Sequence, residues 1–296
     1  MRRITLSAFT LLFALCLPCA ARPDDKATVE VPFTLEKGHV IVHAKIQNDK
    51  SVEVVLSTGT EHSMFNALLI DKYKLQLYYT GVGVITGGPT DRTVTFTTVP
   101  DVRVGDSKPS SLNMLYGEKT VSSIGERVGR EIFGILGADY FKGRIVQFDF
   151  QKKVVRFLPR LPDEAKADGP NRAVMHFRYN ADVLTLPIVE DVTFNGKKVR
   201  TLFDTGALTV IAMTASGAKQ AGLNARTEKD APNGERVGSL RFGGIEFNDV
   251  PARLMPKIMN LNGDSIGAEA VAGVGLLQNV VATFDFSDKL VILERQ

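Results

Sequence analysis

Short apolar runs broken by Gly, Asn, Asp and Pro fill most of the chain, and they read as strands joined by tight turns. His39–Ile46 (HVIVHAKI) leads through Asn48-Asp49-Lys50 into the β-rich run Val52–Leu56. Leu184–Phe194 leads through Asn195-Gly196-Lys197 into a second such run that ends at Phe203. Asn-Gly between apolar runs is a strong hairpin signal, because both residues tolerate positive φ. Each second run ends in one polar residue followed by Thr-Gly: Ser57-Thr58-Gly59 and Asp204-Thr205-Gly206-Ala207. Helical periodicity is sparse. Ala67–Lys74 and Ala215–Ala221 each predict one short helix.

The two halves follow one pattern. The Thr-Gly motifs are 147 residues apart. Downstream, Ile135-Leu136-Gly137 precedes IVQFDF (145–150), and Val271-Ala272-Gly273 precedes VATFDF (281–286), with the central Asp149 and Asp285 136 residues apart. The difference places an extra loop of eleven residues in the first copy. Between the copies, Leu158–Ala173 holds Pro159, Pro162, Pro170 and a charged stretch, and predicts a solvated linker. The expected organisation is all-β, with one lobe over 28–160, a linker over 161–170 and a second lobe over 171–296.

Composition narrows the classes. The chain has 296 residues, 44% hydrophobic and 23% charged, so disorder is excluded. A net charge of +3 gives no reason to invoke nucleic acid. Arg2 and Arg3, the apolar Leu11–Leu17 and the small residues Cys19-Ala20-Ala21 have the layout of a signal peptide over 1–21. Its removal would take away both cysteines and leave 34 basic against 33 acidic residues. The expectation is an exported protein, periplasmic or secreted, with no membrane attachment after cleavage.

The apolar strand, Asp-Thr-Gly-Ala, short helix and late apolar-apolar-Gly of the second copy, matched in the first by a strand, Ser-Thr-Gly, short helix and apolar-apolar-Gly, resemble the retropepsin-like aspartic peptidases in a compact, duplicated bacterial form. The resemblance spans nearly the whole chain after residue 28. It implies two retropepsin-like lobes facing each other across a cleft, with no metal and no cofactor. It also implies a peptide or unfolded protein as substrate or ligand, and a monomer, since the second copy supplies the partner that single-lobe relatives obtain by dimerising. In the family, a carboxylate from each lobe shares one proton and activates a water. The Thr residues brace the loops against each other, the Gly residues permit the turns, and the later Gly packs beneath the loop. Carried onto this chain, the catalytic positions are Asp204 and Ser57, with Thr58, Gly59, Thr205, Gly206 and Ala207 in the loops and Gly137 and Gly273 as loop supports.

Ser57 stands where the family has its first Asp. A hydroxyl neither ionises near neutral pH nor shares a proton as a carboxylic acid does. Two readings follow: a peptide-binding protein whose hydrolysis is weak or lost, and an active endopeptidase in which Asp204 is the base and Ser57 holds the water. Without a neighbouring carboxylate, Asp204 is expected to titrate near an ordinary value of ~3.9. The Gly-rich Gly81–Gly88 reads as part of a flap hairpin found only in the first copy. His62, five residues after Ser57, reads as a surface residue, and Asp149 and Asp285 as outward-facing strand residues.

Overall fold

The computed structural model describes residues 27–83, 92–117, 119–177, 186–224, 234–258 and 265–295. The candidate signal peptide and most of the Gly-rich tip lie outside them. The architecture is all-β with two lobes, as the repeat predicts. In the first lobe, eight strands form one sheet in the order Thr34–Glu36, His39–Ile46, Lys50–Leu56, Gly134–Leu136, Met64–Phe65, Ser110–Tyr116, Arg92–Val104, Leu77–Gly83. A second eight-stranded sheet spans 188–272.

The register repeats along with the sequence. Val54, Val55 and Leu56 run parallel to Gly134, Ile135 and Leu136. In the other lobe, Thr201, Leu202 and Phe203 run parallel to Ala270, Val271 and Ala272. Each motif-bearing strand is thus flanked by the strand that carries the apolar-apolar-Gly. All twelve residues of the two strand pairs are buried, and Ile135, Leu202 and Val271 keep only 4–5% exposure. That explains why these segments read as continuous apolar runs rather than alternating ones.

A six-stranded sheet joins the lobes. Its two central strands, Ile145–Asp149 and Val281–Asp285, pair antiparallel about Gln147 and Thr283. The Gln147 side-chain amide donates to Thr283 Oγ1 at 3.0 Å. Phe148 and Phe284, both fully buried, meet edge to face across this seam with centroids 5.9 Å apart. Phe286 stacks on Phe141 at 5.6 Å and binds the same aromatic layer to the first lobe.

Two sequence readings need correction here. Asp149 and Asp285 do not face solvent; each is 1% exposed. They cap the turns that follow their strands. Asp149 accepts from Lys152 N at 3.1 Å and Arg156 Nη1 at 3.3 Å, and Asp285 accepts from the backbone N–H groups of Ser287 and Asp288 at 2.8 Å each. A short carboxylate can satisfy turn amides that no strand reaches, which outweighs its cost of burial. The second concerns helix content. Ala67–Lys74 forms a 3₁₀ turn over Ala67–Leu69 and an α-turn over Ile70–Tyr73, and Ala215–Gln220 is a helix capped by Thr214. Thr120–Val128 is also helical, which the sequence reading did not expect. Its signal was present: Val121, Ile124 and Val128 at helical spacing, closed by Gly129 at φ 69°.

Candidate active site

The two Thr-Gly loops meet face to face where the eight-stranded sheets end. Thr58 Oγ1 donates to Phe203 O at 2.9 Å, and Thr205 Oγ1 donates to Leu56 O at 3.1 Å. Each hydroxyl also accepts the backbone N–H of the other threonine at 3.1 Å. Both threonines are completely buried, so each hydroxyl donates and accepts across the lobe boundary with no water to compete.

The glycines of the motifs are required by contact. A Cβ on Gly59 would lie 2.4 Å from Asp204 Cγ, and one on Gly206 would lie 2.4 Å from Ser57 Oγ. The later glycines support the loops from below. A Cβ on Gly137 would meet Thr60 O at 2.6 Å, and one on Gly273 would meet Thr209 O at 2.4 Å and Ala207 O at 2.5 Å. Ser57 N bonds Leu136 O and Asp204 N bonds Ala272 O, each at 3.0 Å, which fixes the two polar residues at matching positions.

The structure places Ser57 and Asp204 in direct contact. Ser57 Oγ donates to Asp204 Oδ1 at 2.9 Å. The same oxygen accepts Gly206 N at 2.7 Å and Gly59 N at 3.0 Å. Thr60 Oγ1 lies 2.6 Å from Ser57 Oγ; with the single Ser57 proton given to the carboxylate, Thr60 is the donor. Thr60 is the one member of this chain that the sequence reading left out. A hydroxyl three residues after Ser57 was the available signal.

Asp204 does not titrate near an ordinary carboxylate. Removal from water pushes its carboxyl up, and the three donors on Oδ1 offset that only in part. The loss of a like-charge neighbour at position 57 is outweighed by enclosure within the two loops. Asp204 retains a small exposed surface, and this surface opens into a cavity.

That cavity measures about 450 Å³ and lies on the second-lobe side, lined by Glu61, Met64, Leu202, Ile258, Ile266 and Val271 among others, with Lys257 on its wall. The pseudo-equivalent region of the first lobe is filled. There Val55 and Ile135, which match Leu202 and Val271, are packed under Val121 and Ile124 of the unexpected helix. The site is therefore one-sided. His62 is only half-buried and Ser57 makes no bond to it; Ser57 is engaged by Thr60 and Asp204 instead. Among the described residues no cluster of His, Cys, Asp or Glu could hold a metal ion.

The first-lobe loop carries a further, half-buried carboxylate. Asp139 accepts two bonds from Ser63 N, at 3.0 and 2.9 Å, and one from Ser63 Oγ at 2.5 Å. Ser63 Oγ in turn accepts Gly137 N at 3.0 Å, so this pair holds the supporting glycine. In the second lobe the matching positions are Gly275 and Val210, and a Cβ on Gly275 would lie 2.8 Å from Val210 Cγ2.

Residues 190–270 match the family model for aspartyl proteases. In this segment the second lobe is similar to the aspartyl proteases. The match includes Asp204-Thr205-Gly206 and stops at Ala270, where the Ala270–Ala272 strand begins, and it does not extend to the copy that carries Ser57. No curated protein matches the chain.

Proposed function

We propose that this is an exported, monomeric protein of the aspartic peptidase family that binds extended peptides between its lobes and hydrolyses them weakly or not at all. The Ser57–Asp204 bond at 2.9 Å carries the reading. Peptide hydrolysis needs a base for the water and an acid for the carbonyl. Asp204 can be the base through Oδ2, but the only hydroxyl proton beside it is already held by Oδ1. Ser57 puts a hydroxyl where the second carboxyl of the pair would protonate the carbonyl, and loss of one acid–base group costs ~10²–10⁴-fold. The binding apparatus is intact by comparison. The cross-braced loops and the one-sided apolar cavity support capture of a peptide with a large apolar side chain. The hairpin built from Leu77–Gly83 and Arg92–Val104 supplies the arms of a flap.

A second reading has its own support. With Asp204 pushed up by burial, its carboxylate is a stronger base than an exposed aspartate. Ser57 Oγ keeps one lone pair for a water, so an endopeptidase that runs on Asp204 and a Ser57-held water is the alternative.

Cleavage of a denatured protein between about pH 3 and 7 separates the two readings. The natural protein is expected to bind an apolar peptide but cleave slowly or not at all. Ser57→Asp is expected to raise cleavage by ~10²-fold or more, and Asp204→Asn in that background to abolish the gain. Fast cleavage by the natural protein that Asp204→Asn removes would establish the alternative. Fast cleavage indifferent to Asp204 would exclude both.

A further inference from the structure

A second cavity, of about 610 Å³, shares no lining residue with the one beside Asp204. Its floor is apolar, with Val29, Phe157 and Leu158 from the edge of the six-stranded sheet. Its walls carry Lys108, Lys142 and Arg144 against a single acid, Asp106, a formal surplus of two positive charges. Three cations around one apolar basin need an explanation, because like charges repel and Asp106 offsets only one of them.

Arg144 is the informative member. Its Nε donates to Tyr140 O at 2.8 Å, and its Nη2 donates to Lys108 O at 2.7 Å and Ser110 Oγ at 2.6 Å. The guanidinium also lies over the Tyr140 ring, 4.6 Å from its centroid. The side chain is thus part-buried and fixed in place, yet every bond it makes is to a neutral acceptor. Nη1 keeps both its N–H groups. Among the described residues, neither Arg144 nor the exposed Lys108 and Lys142 forms an ion pair with an acid. By contrast, Arg103, Arg130, Arg156 and Arg172 all pair with carboxylates. A pre-positioned guanidinium with free donors is a ready anion receptor, and its geometry costs nothing to order on binding.

We propose that this cavity binds an amphiphilic organic carboxylate. The carboxylate meets Arg144 Nη1 between the two lysines, and the apolar part lies on Phe157 and Leu158. The volume suits a small organic ligand. The same chemistry has two sources, a free aliphatic acid or the C-terminal carboxylate of a chain that ends in an apolar residue. The proposal does not depend on whether the Asp204 site turns over peptides.

Calorimetric titration of the full chain with octanoate and with N-acetylphenylalanine tests it, with octanol and N-acetylphenylalaninamide as uncharged counterparts. At least one carboxylate should bind, its uncharged counterpart about tenfold or more weakly, and added salt should weaken it. Octanoate alone binding points to a free acid; N-acetylphenylalanine binding points to a chain terminus. Arg144→Gln should abolish binding. Because Arg144 also holds the Lys108–Ser110 turn, the exposed double variant Lys108→Gln/Lys142→Gln is the cleaner test, and should weaken binding about threefold or more with an unchanged circular dichroism spectrum. The proposal is overturned if neither acid binds at millimolar concentration, if octanol binds as tightly as octanoate, or if the folded double-lysine variant binds as the natural protein does.

Discussion

At the residue scale, Asp204 Oδ1 collects three donors, two of which are backbone N–H groups that only glycine can bring so close. Gly206→Ala would set a Cβ 2.4 Å from Ser57 Oγ and 2.7 Å from Ser57 Cβ, too near for any rotamer to relieve. The loops must then separate, at a cost of roughly 1–3 kcal/mol. Denaturant unfolding should show that loss, together with weaker peptide binding. His39 offers a separate test. It is 4% exposed, and neither ring nitrogen has a partner. Burial first, and then the charge of Arg127, lower its pKa from the usual value of 6.5. The unfolded chain therefore binds the proton more readily. Stability is full above about pH 6.5 and falls as the pH drops below it toward the folded-state pKa. His39→Leu should flatten that fall, as read by unfolding midpoints across the acid range; an unchanged slope would mean His39 does not report on it.

At the element scale, the two loops behave as one unit because each threonine hydroxyl serves the opposite strand. Thr58→Val keeps the shape and leaves Phe203 O and Thr205 N without their partners. A cost of roughly 1–3 kcal/mol is expected, and the same for Thr205→Val. The double variant should cost less than the sum, with a coupling of ~0.5–3 kcal/mol, since loops that part after the first loss already weaken the two separate bonds of the other hydroxyl. Strict additivity in a double-mutant cycle would mean that the loops do not brace each other. The helix Thr120–Val128 sets the other asymmetry of the site. It seals the first-lobe counterpart of the open cavity with Val121 and Ile124. The hydrophobic spacing that makes this helix is short, and its place over the sheet follows from contacts with Ile135 and with Ile41 and Val55, the last two far away in the chain.

At the scale of the whole molecule, the lobes share a sheet rather than only touching across a cleft. The seam pairs Ile145–Asp149 with Val281–Asp285 and buries Phe148 against Phe284. A shared hydrogen-bonded layer should make the lobes unfold together. Calorimetry is expected to give one transition, and Phe284→Ala to lower its stability by ~3–5 kcal/mol without splitting it. Two resolved transitions in the natural protein would contradict this.

The sequence by itself determined the repeat, the all-β class and the pairing of each Thr-Gly motif with a later glycine. These are local patterns: strand periodicity, turn chemistry and spacing are set by residues adjacent in the chain. It also revealed that Ser57 occupies an aspartate position, because a substitution is visible without coordinates. Only the tertiary structure decided what depends on distant partners. Asp149 and Asp285 read as outward-facing because a charged residue on a strand usually is, and the turn amides that satisfy them became apparent only in the folded hairpins. The Asp204 carboxyl is pushed up rather than left near normal, because desolvation is a property of the closed loops and not of the residue's neighbours in sequence. The same holds for the one-sided cavity and for the Arg144 basin, whose walls come together from segments more than a hundred residues apart.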